Sequence, residues 1–276
     1  MHPHERHSTN PFALLRSLWQ HRQLIVVFTK REIISRYRGS MIGLAWSVII
    51  PILLLTVYTF VFSFVFKTRW GVGIPEGRTF FAVVLFVGLI IYNLFAEMLS
   101  RGPNLIVNNT NYVKKVIFPL EILPVVSLCS ALFQALISFG VLFVAMLIFN
   151  GSLHASILFL PLVILPFLIM ALGFSWILAA LGVFVRDLSQ VMSIIVMMLM
   201  FLSPVFYPLT AVPPNLRNWL MLNPITDIIN QARNVVIFGQ APDWQNLLIY
   251  TGISLLFAWF GFWWFQKTRQ GFADVL

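Results

Sequence analysis

The sequence predicts an all-α integral membrane protein with six transmembrane helices. Hydrophobic residues make up 59% of the 276 residues and charged residues only 10%, and the mean hydropathy is +0.89, outside the range of soluble domains. Six nearly charge-free runs are each long enough to cross a bilayer, which takes about 20 apolar residues. The basic residues lie beside these runs, so the net charge of +9 reflects membrane topology and predicts no nucleic-acid partner.

Residues 1–40 are predicted to form a cytoplasmic tail and an amphipathic helix that lies in the membrane interface. Asn10 is a suitable N-cap and Pro11 occupies the favoured first helical position. Apolar residues then recur at helical spacing, with basic residues beside them. The apolar residues are Phe12, Leu15, Leu18 and Trp19.

The predicted six-span domain covers residues 41–266, and residues 267–276 form a second cytoplasmic tail. Charged residues or turn signals end each predicted span. The six spans are 41–66, 79–96, 122–149, 155–185, 188–207 and 247–265. Most Lys and Arg residues lie in the two termini and in the loops that share their side, which places both termini in the cytoplasm.

The stretch 101–124 is the most polar interruption between two spans. Its hydrogen-bonding groups cannot lie in hydrocarbon, where each unsatisfied group costs several kcal/mol. The pattern predicts a cytoplasmic loop with a short helix that has one apolar and one cationic side and docks on a soluble partner.

A second irregular stretch, 208–244, precedes the last span. Pro213-Pro214 and Asn223-Pro224 divide it into two short amphipathic segments that cannot cross the bilayer. We expect short re-entrant helices at the outer face, with a water-filled path beside them. A compact extracellular cap without a transport role is the alternative.

No chemistry-bearing motif indicates an enzyme. The sequence holds no G-x-x-x-x-G-K-[ST] phosphate-binding loop, so ATP hydrolysis by this chain is not expected. Glu97, Glu121 and Asp187 all lie at span ends, which argues against a proton-coupled carrier. An integral-membrane glycosyl- or acyltransferase would need convergent acids or metal ligands, and none is predicted. Cys129 is the single cysteine and is expected to be a core residue.

Four segments in order resemble one transporter family. They are RYRGSMIGLAWSVIIPILLLTVYTFVFS, KKVIFPLEILP, VFVRDLSQV and SPVFYPLTAVPPNLRNWLMLNP. Together they resemble the permease subunit of type-2 ABC exporters of lipid-linked polysaccharide, in the O-antigen group, with relatives that export capsule and teichoic acid. The resemblance implies export of an undecaprenyl-linked glycan across the bacterial inner membrane. Capsule, teichoic acid, drug or lipid export is the alternative.

The resemblance also implies the partners. Two permease chains form a homodimer and pair with two separate nucleotide-binding subunits, which bind ATP and Mg²⁺. A coupling helix at about 108–118 and the short turn after the fourth span contact those subunits, and the short helices before the last span form a periplasmic gate. The implied coupling residues are Asn108, Asn111, Tyr112, Lys114, Lys115, Phe118, Arg186 and Asp187. The implied gate residues are Pro214, Trp219, Asn223 and Pro224.

Two further sets of residues are candidates for contact with the substrate. Aromatic rings can stack on sugar faces, although lipid-facing rings and interface belts explain the same residues. The aromatic candidates are Trp46, Tyr58, Phe62, Phe66, Tyr92, Phe95 and Tyr207. Arginines bind phosphate bidentately and are candidates for the lipid pyrophosphate, although inner-leaflet headgroups explain them equally well. These arginines are Arg16, Arg22, Arg31, Arg36 and Arg38.

Overall fold

The computed structural model describes residues 9–65, 80–114 and 118–276, and every regular element in these ranges is helical. The all-α prediction is therefore confirmed. The helices are α1 (Pro11–Gln20), α2 (Arg22–Arg36), α3 (Trp46–Tyr58), α4 (Phe80–Arg101), α5 (Asn104–Val107), α6 (Thr110–Lys114), α7 (Ile122–Asn150), α8 (Leu160–Phe184), α9 (Leu188–Leu202), α10 (Pro214–Met221), α11 (Thr226–Val236), α12 (Trp244–Thr268) and α13 (Phe272–Val275).

Five helical segments of the described ranges are long and apolar enough to cross a membrane, as a multi-pass membrane protein requires. They are Gly43–Phe62, Phe80–Arg101, Ile122–Phe149, Ala155–Phe184 and Trp244–Val275. The fifth predicted span, 188–207, is not among these five segments, because its helix is shorter than expected. Its helix, α9, has 15 residues, about 22 Å, because Ser203 adopts an extended conformation before Pro204, as residues preceding proline do.

Helix α4 is the centre of the molecule. Its side chains are buried on nearly every side, and it packs against α3, α7, α8, α9 and α11. By contrast, α3 and α9 leave most of their apolar side chains exposed on the outside of the chain. The buried residues around α4 form one continuous hydrophobic cluster, called here the α4 core.

Helices α8 and α12 form the most extensive helix pair. Their backbones touch at two glycines: a Cβ on Gly261 would lie 2.4 Å from the Gly173 carbonyl oxygen, and a Cβ on Gly173 would lie 3.0 Å from the Ala258 Cα. Small residues at such contacts let membrane helices approach closely and gain van der Waals energy. The side chains of Ser175 and Ser254 are also fully buried.

A second hydrophobic cluster, the loop-end core, lies at one end of the bundle. It joins α5, the start of α7, the ends of α8 and α12, and α13. Leu14 of α1 and Tyr112 of α6 pack against it. We call this end of the molecule the loop end, and the end that holds α10 and α11 the opposite end.

Two helices, and not one, precede the first apolar segment. The predicted start of α1 is confirmed, since the Asn10 side chain accepts a hydrogen bond from the Phe12 amide and Pro11 begins the helix. Its location in the membrane interface stays a prediction. Phe12, Leu15 and Trp19 are exposed on α1, which leaves an apolar stripe for another surface. The break occurs at His21, and α2 then continues to Arg36.

Candidate functional site

The loop between α4 and α7 is fixed to α8 by backbone contact. A Cβ on Gly182 would lie 1.9 Å from the Pro103 carbonyl oxygen, and Leu178 packs against Gly102. Leu105 and Ile106 of α5 then point into the loop-end core, where both are buried. The first half of the loop is therefore a rigid extension of α8.

The second half of the loop is held to α2 by three aromatic rings. Tyr112 stacks on Phe118 with a centroid distance of 4.5 Å, and Phe28 of α2 lies 5.6 Å from Tyr112 and 5.4 Å from Phe118. Both predicted coupling rings are thus half-buried inside the chain. A partner can reach them only at their exposed edges, and their insertion into an ATPase stays a prediction.

Polar side chains make up the outer surface of the loop end. Asn108, Asn111, Arg186 and Asp187 are all exposed there. The two predicted contact segments come together because α5 packs on the end of α8, directly before the Arg186-Asp187 turn. Among the other predicted coupling residues, Lys115 and the side chain of Lys114 lie outside the described part of the chain.

A polar cleft of about 390 Å³ opens between α2 and the loop. Three asparagines and Arg31 contribute to its lining, and Tyr112 forms one wall. The asparagines are Asn104, Asn108 and Asn109. The cleft therefore offers amide and guanidinium groups beside the proposed docking surface.

A buried ion pair lies under the loop, and its partners were not predicted. Arg269, just after α12, donates from Nη1 to Glu121 Oε2 at 2.7 Å and from Nη2 to the Phe118 carbonyl at 2.9 Å. Ser17 of α1 donates to Glu121 Oε1 at 2.9 Å, and the Trp176 indole of α8 donates to the Glu121 carbonyl at 3.2 Å. Glu121 therefore connects α1, the loop, α8 and α12. In the sequence, Glu121 directly precedes the apolar run of α7 and Arg269 directly follows that of α12. These positions were the only signals for the pair.

A second charge network connects α2 to α4. Arg36 pairs with Glu97, Glu97 accepts from Arg101 Nη1 at 3.0 Å, and Arg101 also pairs with Glu32. Arg36 therefore already has a carboxylate partner, and its contact with a lipid pyrophosphate stays a prediction. Among the other candidates, Arg22 lies over the Trp19 ring at 5.1 Å and donates to its carbonyl.

The three remaining phosphate candidates have exposed side chains. They are Arg16, Arg31 and Arg38. Exposure leaves these charges accessible to an anionic group, and their contact with a lipid pyrophosphate stays a prediction.

The predicted substrate path is wrong for two aromatic residues. Phe95 is 2% exposed and packs against Phe167 and Phe174, and Tyr92 is 7% exposed and donates its hydroxyl to the Val196 carbonyl. Both belong to the α4 core, because α4 is surrounded by other helices and its rings fill space between them.

The other path candidates are half-buried near the surface. Phe62 packs against Phe81 and Phe206, next to Tyr58. Trp46 donates its indole proton to Ser40 Oγ, and the Tyr207 hydroxyl donates to the Phe201 carbonyl. Contact of these rings with a substrate stays a prediction, and Phe66 lies outside the described residues.

At the opposite end, the two short helices differ in burial. α10 is exposed, with Pro214 and Trp219 on its surface, whereas α11 is packed into the bundle against α4 and α8. The turn between them is anchored: Asn223 donates to Ser203 Oγ at 2.8 Å, and the Pro224 carbonyl accepts from the Tyr250 hydroxyl at 2.8 Å. The two short helices predicted for this stretch are thus present.

Arg233 of α11 is buried inside the bundle. It is 2% exposed and donates to the carbonyls of Val84, Pro204 and Val205 at 3.1, 2.6 and 2.7 Å. Gly88 of α4 leaves the space for its guanidinium, since a Cβ there would lie 2.7 Å from Arg233 Nη2. Burial lowers the pKa of Arg233 to about 9, so it is charged at neutral pH.

The described residues contain no cluster of three or more His, Cys, Asp or Glu side chains that could hold a metal ion. The lone thiol, Cys129 on α7, is partly buried. The main polar features of the described residues are the exposed outer surface of the loop end, two charge networks and the buried Arg233.

Replacing Gly182 with Ala is expected to displace the loop from α8, because a methyl group cannot share space with the Pro103 carbonyl. Overpacking of this kind costs about 1 to 3 kcal/mol. We expect a lower melting temperature of the detergent-purified protein, measured by fluorescence-detected thermal unfolding. Gly140→Ala is the control, since no atom lies within 4 Å of a Cβ there. An equal change in both variants would show that the contact does not hold the loop.

Comparison with known proteins identifies relatives along nearly the whole chain. The model of a family described as ABC-2 type transporter matches residues 23–237. An O-antigen export system permease protein RfbA from Myxococcus xanthus is 28% identical over 95% of this chain and 99% of its own length. A protein of the same name from Klebsiella pneumoniae is 27% identical over 92% and 95%, and a polysialic acid transport protein KpsM from Escherichia coli is 24% identical over 79% and 82%.

Proposed function

The chain belongs to the ABC-2 type transporter family of membrane proteins, and we propose that it is the permease subunit of an ATP-driven exporter of O-antigen-like polysaccharide. The observation that carries this proposal is the full-length match to O-antigen export permeases. No Gly-Lys dipeptide occurs in the sequence, so the chain has no phosphate-binding loop of its own. A separate nucleotide-binding subunit, with ATP and Mg²⁺, would supply the energy.

The loop end is the proposed docking surface for that subunit. Asn108 and Asn111 beside the Arg186-Asp187 turn present hydrogen-bonding groups on a base that α8 holds rigid. The polar cleft between α2 and the loop offers room for a partner side chain. Because the loop, α1 and the C-terminal segment lie at the same end, we propose that the loop and both termini are cytoplasmic, in agreement with the distribution of basic residues.

We further propose six membrane crossings in each chain. The short α9 and the non-helical turn at 203–207 would together make the fifth crossing, and α10 and α11 would lie at the periplasmic face as the gate. The backbone of 203–207 is covered by α11 and Arg233, as non-helical backbone at membrane depth must be. The exposed apolar faces of α3 and α9 are available for a second copy of the chain, which would form the homodimer.

The proposed substrate is a glycan attached to an undecaprenyl carrier. Two chains would enclose the path between them, because Tyr92 and Phe95 are packed inside a single chain. Export of a capsular polysaccharide is the second candidate, and the similarity to a polysialic acid transport protein favours it.

Charge substitutions on the loop end are expected to weaken binding of the ATPase. Asn111→Arg and Asp187→Arg each place a long cation on the proposed docking surface, which should lower the amount of co-purified ATPase several-fold and reduce surface polysaccharide in parallel. Both are measured after co-expression with the nucleotide-binding subunit in a permease-deleted strain.

Gln245→Arg is the matched control, because Gln245 is exposed at the opposite end. Equal ATPase recovery from all three variants would reject the loop end as the docking surface. Failure of the unmodified chain to restore any surface polysaccharide would reject the exporter assignment itself.

A further inference from the structure

The C-terminal segment 269–276 is folded against the loop and is not a free tail. Phe272 is fully buried between Phe184 and Phe265, with centroid distances of 6.0 and 5.6 Å. Helix α13 packs against α6 and α8, and Leu276 reaches the loop-end core. The end of the chain therefore lies under the proposed coupling surface.

The only charged contact between this segment and the loop among the described residues is the Arg269–Glu121 pair. Their side chains are 13% and 9% exposed. The second guanidinium nitrogen of Arg269 donates to the backbone carbonyl of Phe118. The ring of the same residue stacks on Tyr112. One side chain therefore holds both the end of the loop and the first residue before α7.

The second half of the loop, which contains α6, has less backbone support than the first half, which α8 holds. Helix α6 has five residues, and an isolated helix of that length is unstable in water. A push on its outer surface would then be absorbed by bending of the loop. A bidentate arginine is suited to prevent this, since its planar donors hold two acceptors in a fixed relative geometry.

A buried ion pair is also a poor device for stability alone. Apolar residues of similar volume often stabilise a protein equally well, because desolvation of the two charges offsets their attraction. A geometric role therefore accounts better for a charged pair at this position. The pair lies between the loop and the end of α12, so a fixed geometry there would hold these two elements together.

We propose that Arg269 is a positioning residue that clamps the coupling loop to α12 through Glu121 and the Phe118 carbonyl. The clamp transfers a displacement of α6 to α12, and through the Trp176–Glu121 hydrogen bond to α8. This proposal rests on the proposed function, because the displacement would come from the ATPase that docks on the loop.

Arg269→Gln is expected to separate ATP hydrolysis from export. The glutamine is neutral and too short to reach both acceptors, so the loop moves without α12. We expect normal amounts of folded complex and of ATP turnover, with surface polysaccharide reduced about tenfold. Arg269→Lys keeps the charge and can hold one acceptor at a time, and should restore export in part.

Lys267→Gln is the matched control, since Lys267 lies two residues from Arg269 and is exposed. Its ammonium group makes a cation–π contact with the Trp263 ring, at 6.0 Å. Export reduced only in proportion to the folded complex would show a merely structural role and overturn the proposal. Unchanged export in Arg269→Gln would also overturn it. If Arg269→Gln does not accumulate, the lysine variant decides: full coupling in that variant contradicts the need for a bidentate contact.

Hydrogen–deuterium exchange tests the clamp without substrate or ATPase. In Arg269→Gln, amides of residues 110–114 should exchange several-fold faster, while amides of α5 and of the middle of α8 and α12 keep their rates. Unchanged exchange in the loop would overturn the clamp. Faster exchange combined with a wild-type chain that restores no polysaccharide would instead retain the clamp and reject the proposed exporter.

Discussion

Replacing Arg233 with Met is expected to leave little folded protein. The methionine fills a similar volume but donates no hydrogen bond, so the carbonyls of Val84, Pro204 and Val205 lose a charged donor inside the bundle. The Val84 carbonyl keeps its bond within α4, but the Pro204 and Val205 carbonyls lose their donor. A buried acceptor left unsatisfied costs about 1 to 3 kcal/mol, which for two acceptors is a large part of the stability of a typical domain. The measurement is the yield of monodisperse protein after detergent extraction.

Arg217→Met is the matched control at the same end. Arg217 donates to the carbonyls of Val212 and Thr210 near the surface of α10, where water can replace it. We expect a yield close to that of the wild type. Similar yields for the Arg233 and Arg217 variants would show that the Arg233 contacts do not hold α11 in place.

Replacing Gly261 with Ala is expected to force α8 and α12 apart. The new methyl group would lie 2.4 Å from the Gly173 carbonyl oxygen, and backbone cannot move aside as a flexible side chain can. We expect a loss of about 1 to 3 kcal/mol and a larger loss for Gly261→Leu. Thermal unfolding in detergent measures the stability loss of each variant. The effect should be large because the ends of α8 and α12 both contribute to the loop-end core.

Gly252→Ala is the matched control, because it makes the same substitution on α12 at a position that does not touch α8. No atom lies within 4 Å of a Cβ at Gly252, and alanine favours helix more than glycine does. We expect unchanged or slightly higher stability in this variant. A melting temperature for Gly261→Ala equal to that of the Gly252→Ala protein would contradict the close backbone packing.

The two hydrophobic cores divide the described residues into two packed regions. The loop, the ends of α8 and α12, and α13 share the loop-end core, whereas α11 and the turn at 203–207 are held by the α4 core and Arg233. Because α8 and α12 extend from one part into the other, they connect the proposed docking surface to the opposite end. In an exporter, this pair of helices would carry the movement that opens the gate.

Much of the site was predictable wherever the signal was local. The polar 101–124 stretch predicted a break between two long apolar helices, and Pro213-Pro214 and Asn223-Pro224 predicted two short helices that are now α10 and α11. Asn10 and Pro11 placed the start of α1 correctly for the same reason. Hydrogen bonding and proline geometry act over a few residues, so a single sequence contains them.

What a single sequence lacks is the identity of each helix's neighbours. Composition and the spacing of apolar runs determined by themselves that the chain is helical, crosses a membrane several times and has a polar loop after α4, because transfer of side chains into hydrocarbon depends only on residue type. Packing decided that α4 is central and buries Tyr92 and Phe95, that Arg233 is enclosed by carbonyls, and that Arg269 meets Glu121 across 148 residues of sequence. These outcomes depend on which helix faces which, and only the tertiary structure determines that.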